Sequence, residues 1–283
     1  MIRPLIANRE ATLHILKTFG LRTSKKLGQN FLINPQVVAG IVAASEVTSA
    51  DAVLEIGPGI GTLTQGLAET GARITAVELD RKLLDVLTRT LAGYDNVRLI
   101  HGDILKIDIA GEMNHQPFKV VANLPYYITT PIIMLLLEAR YPIEILVTMV
   151  QKEVAERMVA KPGSKSYGAL SVAVQYYTEP AVMFTVPPSS FIPAPAVESA
   201  VIRCVVRKEP PVTVLEERAF FRVVRAAFAQ RRKTFANTLA AAGLSKELIS
   251  LILTQAGIDG QRRGETLSLQ EFASVANCWV KNR

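Results

Sequence analysis

The stretch AVLEIGPGIGTLT, residues 52–64, decides the fold. Its first five residues form a short apolar run of the kind that becomes a buried strand. Gly57, Gly59 and Gly61 then alternate with other residues, and a helix-like pattern follows. Glycines at such a turn let the chain bend tightly and let backbone N–H groups come close to a ligand. Strand, glycine turn and helix together open a nucleotide- or nucleoside-binding α/β sheet. A dinucleotide fingerprint would read G-x-G-x-x-G, but position 62 is Thr.

Further along, RITAVEL (73–79), VRLI (97–100), FKVVAN (118–123) and IEILVTMV (143–150) repeat the apolar run, with helical patterns between several of them. That alternation predicts a parallel sheet buried on both faces. AVMFTV (181–186) and SAVIRCVV (199–206) are separated only by a Pro-rich turn, VPPSSFIPAP. No crossover helix fits there, so an antiparallel pair is expected at the sheet's end. After Pro210 and Pro211 the pattern turns helical: LEERAFFRVVRAAFAQRRKTFANTLAAAG, SKELISLILTQAG and SLQEFASVANCWV. The expected fold is therefore α/β, a mostly parallel sheet with an antiparallel end hairpin, plus a small C-terminal all-α domain. Its expected parts are an extension at 1–21, to which no role is assigned, a sheet domain at 22–207 and a helical domain at 208–283.

Polar residues recur where the strands end. Glu78 closes the second strand, 21 residues after Gly57; Asp103 follows the third and Asn123 the fourth. Open α/β sheets bind ligands in the crevice outside their carboxyl ends, so these groups should face one site. The missing third glycine disfavours an NAD-type cofactor. No basic residue occupies the glycine loop and no G-x-x-x-x-G-K-S/T motif exists, so a nucleoside cofactor without phosphates fits better. S-adenosylmethionine, with a ribose, an adenine and a sulfonium, is of that kind.

Composition narrows the classes. Hydrophobic residues make up 49%, enough for a large core. No apolar run reaches the ~18–20 residues of a membrane span, and the N-terminus lacks the apolar stretch of a secretory signal. Cys204 and Cys278 form no C-x-x-C pair, and His14, His101 and His115 show no ligand spacing, so no metal site is expected and a reducing cytoplasm suits the chain. The net charge of +7 is uneven: residues 1–30 hold six Lys/Arg and one acid, residues 31–206 thirteen and seventeen, residues 207–283 thirteen and seven. Basic charge gathered at both ends of an acidic middle suggests a polyanionic partner.

Several motifs occur together and in order: KKLGQNFL (25–32), E-x-G-P-G-x-G-x-L-T, V-E-x-D, G-D, N-L-P-Y, F-x-P-x-P-x-V-x-S at Phe191–Ser199, and FAQRRKT (228–234). In this combination the chain closely resembles the small-subunit rRNA adenine N6-dimethyltransferases, from about residue 22 to its C-terminus. The resemblance implies a Rossmann-like class I methyltransferase sheet with S-adenosylmethionine as cofactor. It implies cofactor contacts at Asn30, Leu32, Gly57, Glu78, Asp103 and Asn123, beside the glycine turn of Gly57, Gly59 and Gly61. Glu78 would hold the ribose hydroxyls and Asp103 the adenine amine. The implied substrate is two adjacent adenines near the 3′ end of 16S rRNA in an assembling 30S subunit. A cytoplasmic monomer without membrane attachment is expected.

NLPYYITTPII (123–133) then reads as a substrate slot. The exocyclic amine of adenine is a poor nucleophile, because its lone pair is conjugated into the ring. The Asn123 side-chain oxygen and a backbone carbonyl, of Pro125 or a neighbour such as Leu124, can each accept one of its N–H bonds. Tyr126 would stack on the base, a contact worth about 1–3 kcal/mol. By family likeness Phe191 would cover the other face. Tyr127 is expected to be packing. Such a slot acts only on a base taken out of its stack.

For RNA, Arg218, Arg222, Arg225 and Arg232 are spaced as one helix face, and Arg231, Arg232 and Lys233 form a tight cluster. Lys25 and Lys26 precede the cofactor motif. Phosphate contacts of this type position a protein on RNA. Alternatives remain: a resistance methyltransferase acting on large-subunit rRNA, an assembly factor whose binding matters more than its chemistry, and a small-molecule methyltransferase.

Overall fold

The structure, a computed structural model, describes residues 5–21 and 28–283. The elements that build the site come first in the chain. They are α1 (Arg9–Thr18), β1 (Phe31–Leu32), α2 (Pro35–Ser45), β2 (Ala52–Ile56), α3 (Thr62–Ala68), β3 (Arg73–Glu78), α4 (Arg81–Thr90), β4 (Val97–His101), α5 (Ile109–Glu112), β5 (Phe118–Asn123), α6 (Thr129–Glu138) and β6 (Ile143–Gln151). Then come α7 (Lys152–Met158), α8 (Ala169–Tyr177), β7 (Thr178–Val186), β8 (Phe191–Ile192), β9 (Ser199–Val206) and four helices, α9 (Glu217–Ala229), α10 (Phe235–Ala241), α11 (Lys246–Ala256) and α12 (Leu269–Lys281).

Seven strands form one sheet in the order β4-β3-β2-β5-β6-β9-β7. The strands from β4 to β6 pair in parallel; β9 runs antiparallel to β6 and also neighbours β7, the edge strand. Val53, Leu54, Val120, Val121, Leu146 and Val147 are wholly buried in its centre. Each such side chain stabilises the fold by about 1.5–3 kcal/mol relative to exposure. From β2 the chain goes first to β3 on one side and later to β5 on the other. The crevice of an open α/β sheet opens at such a switch point, beyond the carboxyl ends.

Local signals start the helices. Asn34 caps α2 by accepting from the Gln36 N–H at 3.0 Å, with Pro35 in the first turn. Asp80 caps α4 in the same way at Lys82. Residues 5–21 are not an idle extension: Ile6 and Ala7 are buried, and the Ile6 N–H donates to Gln65 Oε1 at 2.8 Å. Ile15, Leu16 and Phe19 pack on the cluster of Ile60, Leu83, Val86 and Leu87.

The chain divides into two compact units. One holds the residues up to Ala155 and Glu179–Val206; the other holds Glu156–Thr178 and Arg207–Arg283. Residues 156–178, placed with the sheet domain from sequence, thus cluster with the C-terminal helices. The cause is aromatic. Tyr176 stacks on Phe220 and Tyr177 on Phe221, with centroids 4.9 and 5.5 Å apart, and the Tyr177 hydroxyl donates to Glu217 at 2.5 Å. The long helix expected over LEERAFFRVVRAAFAQRRKTFANTLAAAG breaks at Gln230 into α9 and α10. Arg232 consequently lies on the connecting turn and not on the face of Arg218, Arg222 and Arg225.

Candidate active site

The ends of β2, β3, β4 and β5 line one cleft. Gly57, Gly59, Glu78, Asp103 and Asn123 all contribute to its wall, as do Asn30, Leu32, Leu124, Pro125, Tyr126 and Phe191. Gly61 does not: a side-chain carbon there would sit 3.1 Å from Leu91 Cδ2, so this glycine permits close packing behind the loop. Gly57 and Gly59 have φ of +69° and +62°, the left-handed region that favours glycine. The three glycine amides of this loop are turned inward. The Gly57 N–H donates to Val77 O, the Gly61 N–H to Pro58 O, and the Gly59 N–H to Glu78 Oε2 at 3.2 Å. The loop shapes the wall rather than presenting these donors to a ligand.

Glu78 is buried, and its Oε1 accepts from the Asp80 N–H at 2.8 Å. Burial raises its carboxyl pKa, opposed by the amides of Asp80 and Gly59. Asp103 Oδ1 accepts from the Leu105 N–H at 3.1 Å, leaving its exposed side to Lys106, whose Nζ is 3.4 Å from Oδ2. Asn30 is held by a bond from its Nδ2 to Gly28 O.

At the end of β5 the Leu124 N–H donates to Met149 O, which continues the strand pairing past Asn123. The Asn123 side chain makes no hydrogen bond among the described residues. Pro125 corrects the expectation. Its carbonyl accepts from both the Ile128 N–H at 3.2 Å and Thr129 Oγ1 at 3.0 Å, so both lone pairs are used in starting α6. Tyr126 is half-buried, with its hydroxyl 2.7 Å from Ser199 Oγ. Burial raises its pKa, and the Ser199 bond pulls the other way. Tyr127, expected as packing, lines the cleft and is 54% exposed.

Phe191 reaches the cleft through an unforeseen element. β8 pairs with β1 as a separate two-stranded sheet, Leu32 opposite Phe191. The Ile33 N–H also donates to Ser190 O, and Asn34 Nδ2 to Ser190 Oγ. Two motifs about 160 residues apart are thereby joined at the site.

Glu55 received no role from sequence, although it begins the glycine motif. It lines the cleft, its Oε2 has no partner among the described residues, and Thr62 Oγ1 is equally unpaired. Burial pushes its pKa up to about 8; the adjacent Thr64 hydroxyl opposes the rise and the Glu78 carboxylate adds to it. A buried carboxyl with an unused oxygen suits a cationic ligand. S-adenosylmethionine carries both an ammonium and a sulfonium, so the residues fit that cofactor.

In the helical unit, Arg222, Arg225, Arg231, Arg232 and Lys233 are all exposed. Arg222 lies over the Trp279 ring at 4.8 Å and donates to Ala242 O, so it also holds α9 to its neighbours. Arg231 donates to Lys165 O at 2.9 Å. That bond brings the exposed Lys161–Lys165 loop, unmarked in sequence, beside the basic turn. Lys25 and Lys26 lie outside the described residues.

A family profile described as "Ribosomal RNA adenine dimethylase" matches residues 20–281. The chain belongs to that family. It is an rRNA adenine dimethyltransferase, and its methyl donor is S-adenosylmethionine. A protein of Geobacillus sp. (strain WCH70) named "Ribosomal RNA small subunit methyltransferase A" is 50% identical, covering 96% of this chain and 97% of that one. The protein of that name from Moorella thermoacetica is 52% identical with the same coverage. Among solved structures, a dimethyladenosine transferase from Plasmodium falciparum aligns with a TM-score of 0.74 at 24% identity, over 87% of this chain and 95% of that one. The 23S rRNA methyltransferase ErmE aligns at 0.67 and 27% identity, over 89% and 100%. No helix among the described residues is long and apolar enough to cross a membrane.

Proposed function

We propose that this enzyme converts two adjacent adenines near the 3′ end of 16S rRNA to N6,N6-dimethyladenosine, in the assembling 30S subunit and as a cytoplasmic monomer. The observation that carries the chemistry is the end of β5, where an uncommitted Asn123 amide, the Leu124 backbone and a tyrosine ring share a cleft with Glu78 and Asp103. The names of the relatives support the small subunit as substrate.

S-adenosylmethionine supplies a methyl group on a positively charged sulfur. Glu78 and Asp103 hold its ribose and adenine, and Glu55 offers a carboxylate to its cationic part. Asn123 Oδ1 and the Leu124 carbonyl accept the two N–H bonds of the target amine, which aims its lone pair at the methyl group. Pro125 starts α6 and keeps that carbonyl in place. Tyr126 and Phe191 clamp the base. Positioning of this kind supplies most of the acceleration. No side chain is required as a dedicated base, because the proton can leave with or after transfer. Lys25, Lys26, Arg225 and the Arg231–Lys233 turn bind phosphates outside the slot.

The test is methyl transfer from labelled S-adenosylmethionine to unmodified 30S subunits, 50S subunits and naked rRNA, with the modified nucleoside identified. N6,N6-dimethyladenosine on 30S alone is the expected result. Label on 50S subunits or 23S rRNA would overturn the substrate assignment and favour the activity named for ErmE.

A further inference from the structure

We infer that Ser199 is a positioning residue for methyl transfer, acting through the Tyr126 ring. The inference rests on the adenine-slot reading above and assigns a part to the last residue of the F-x-P-x-P-x-V-x-S motif. Three observations combine. Ser199 is wholly buried and opens β9, where pairing with Gln151 fixes its backbone. Its Oγ lies 2.7 Å from the Tyr126 hydroxyl. Tyr126 sits on the connection between β5 and α6, half-buried, and its ring has no aromatic partner among the described residues.

A tyrosine side chain pivots about two torsions, and a base-stacking ring loses its use if it swings. Here the far end of the ring is tethered to a strand of the sheet, while the near end belongs to the loop that holds Asn123 and Leu124. The tether also closes the slot on itself. Phe191 and Ser199 bound one short connection, residues 191–199, so the segment that presents one face of the slot also anchors the ring on the other. Leu32 pairs with Phe191 at the start of that connection and also lines the cleft. The hydrogen bond is thus a geometric link between the two walls that must grip the adenine. Dimethylation needs the monomethyl product to be gripped a second time in a slightly wider pose. A swinging ring should therefore harm the second transfer more than the first.

Serine is a neutral hydroxyl here, and no proton transfer is assigned to it. Its part is to set the ring plane. If that is so, removing either hydroxyl breaks the same link. Ser199→Ala and Tyr126→Phe should then have the same effect, and the double variant should be no worse than either alone.

The experiment is single-turnover methyl transfer to unmodified 30S subunits by the wild type, Ser199→Ala, Tyr126→Phe and the double variant. Thermal midpoints and S-adenosylmethionine affinity are measured on the same preparations. The expected result is a roughly 5–10-fold slower transfer in each single variant, no further loss in the double, and accumulation of N6-monomethyladenosine, as a lost hydrogen bond of ordinary strength would give. Cofactor affinity should stay within about twofold, since the link touches no proposed cofactor contact. Wild-type rates in Ser199→Ala would overturn the inference, and so would losses that multiply in the double variant. A rate loss that follows the thermal midpoint without monomethyl accumulation would reduce Ser199 to a packing residue. Tyr126→Phe tests the same bond from the less buried side, so a poorly folded Ser199→Ala would still leave a decisive variant. Absence of transfer by the wild type would instead count against the adenine-slot reading itself.

Discussion

The two halves of the cleft are built differently. On the half proposed for the cofactor, at the ends of β2 and β3, Glu78 accepts from two backbone amides and the three glycine amides bond inward. On the half proposed for the substrate, at the end of β5, the Asn123 side chain makes no hydrogen bond among the described residues and Tyr127 stands exposed. On the proposed assignment, the cofactor half is held in shape by the protein's own hydrogen bonds, whereas the substrate half keeps acceptors for a group that comes from outside. Glu55 Oε2 and Thr62 Oγ1, both lining the cleft near the end of β2, are the exceptions, unpaired among the described residues, and the carboxyl is the one of the two suited to a cation.

This contrast can be broken by substitutions on each side. The largest effect is expected from Asn123→Ala, which removes an acceptor from the amine: about a 100-fold fall in kcat/KM on 30S subunits, with an unchanged thermal midpoint. Near-normal turnover by a folded variant would end the amine-holding role. Glu78→Gln should weaken S-adenosylmethionine binding by roughly tenfold, because an N–H of the new amide meets a backbone N–H where an oxygen had accepted. Isothermal titration measures this directly. Replacing Arg231, Arg232 and Lys233 by Ala should make the salt dependence of RNA binding shallower by roughly 2 in log–log slope, with cofactor binding untouched. An unchanged slope would remove that turn from the RNA surface.

The smallest effect sharpens the contrast through pH. In the ligand-free protein the Glu55 carboxyl holds its proton up to about pH 8, above its ordinary value of 4.5. A raised carboxyl stabilises the fold below its unfolded value, and that contribution is lost as pH climbs through about 8. The thermal midpoint of the cofactor-free enzyme should therefore drop between pH 6 and about 8.5, and Glu55→Gln should flatten that drop. Cofactor affinity should rise over the same range, since a cation favours the ionised form. A cofactor affinity that stays constant over that pH range would contradict the role given to Glu55.

Much of the fold was legible because its signals are local. AVLEI, RITAVE, FKVVAN and SAVIRCVV are apolar runs that form strands at those positions. What was not legible depends on contacts far apart in sequence. The two-residue strands Phe31–Leu32 and Phe191–Ile192 have no periodicity to read and exist only because they find each other. Residues 156–178 join the helical unit through Tyr176 and Tyr177, whose partners Phe220 and Phe221 lie more than 40 residues on. At the site, strand-end positions marked Glu78, Asp103 and Asn123. Glu55 was hidden because a buried, half-satisfied carboxyl in a strand looks like any alternating residue. The choice between the Pro125 carbonyl and a neighbour's is not legible in sequence, because a carbonyl's availability depends on where the next helix begins.

The measurement that bears most directly on the two-sided cleft sets two variants against each other, Asn123→Ala and Glu78→Gln. For each, S-adenosylmethionine affinity and the single-turnover rate on 30S subunits at saturating cofactor are determined. The expected results are opposite: Asn123→Ala, at one of six implied cofactor contacts, still binds cofactor within about threefold of wild type and transfers about 100-fold more slowly, while Glu78→Gln binds poorly and transfers at near-normal rate once saturated. Parallel losses of affinity and rate in both variants would contradict the division, and the cleft would have to be treated as one undivided site.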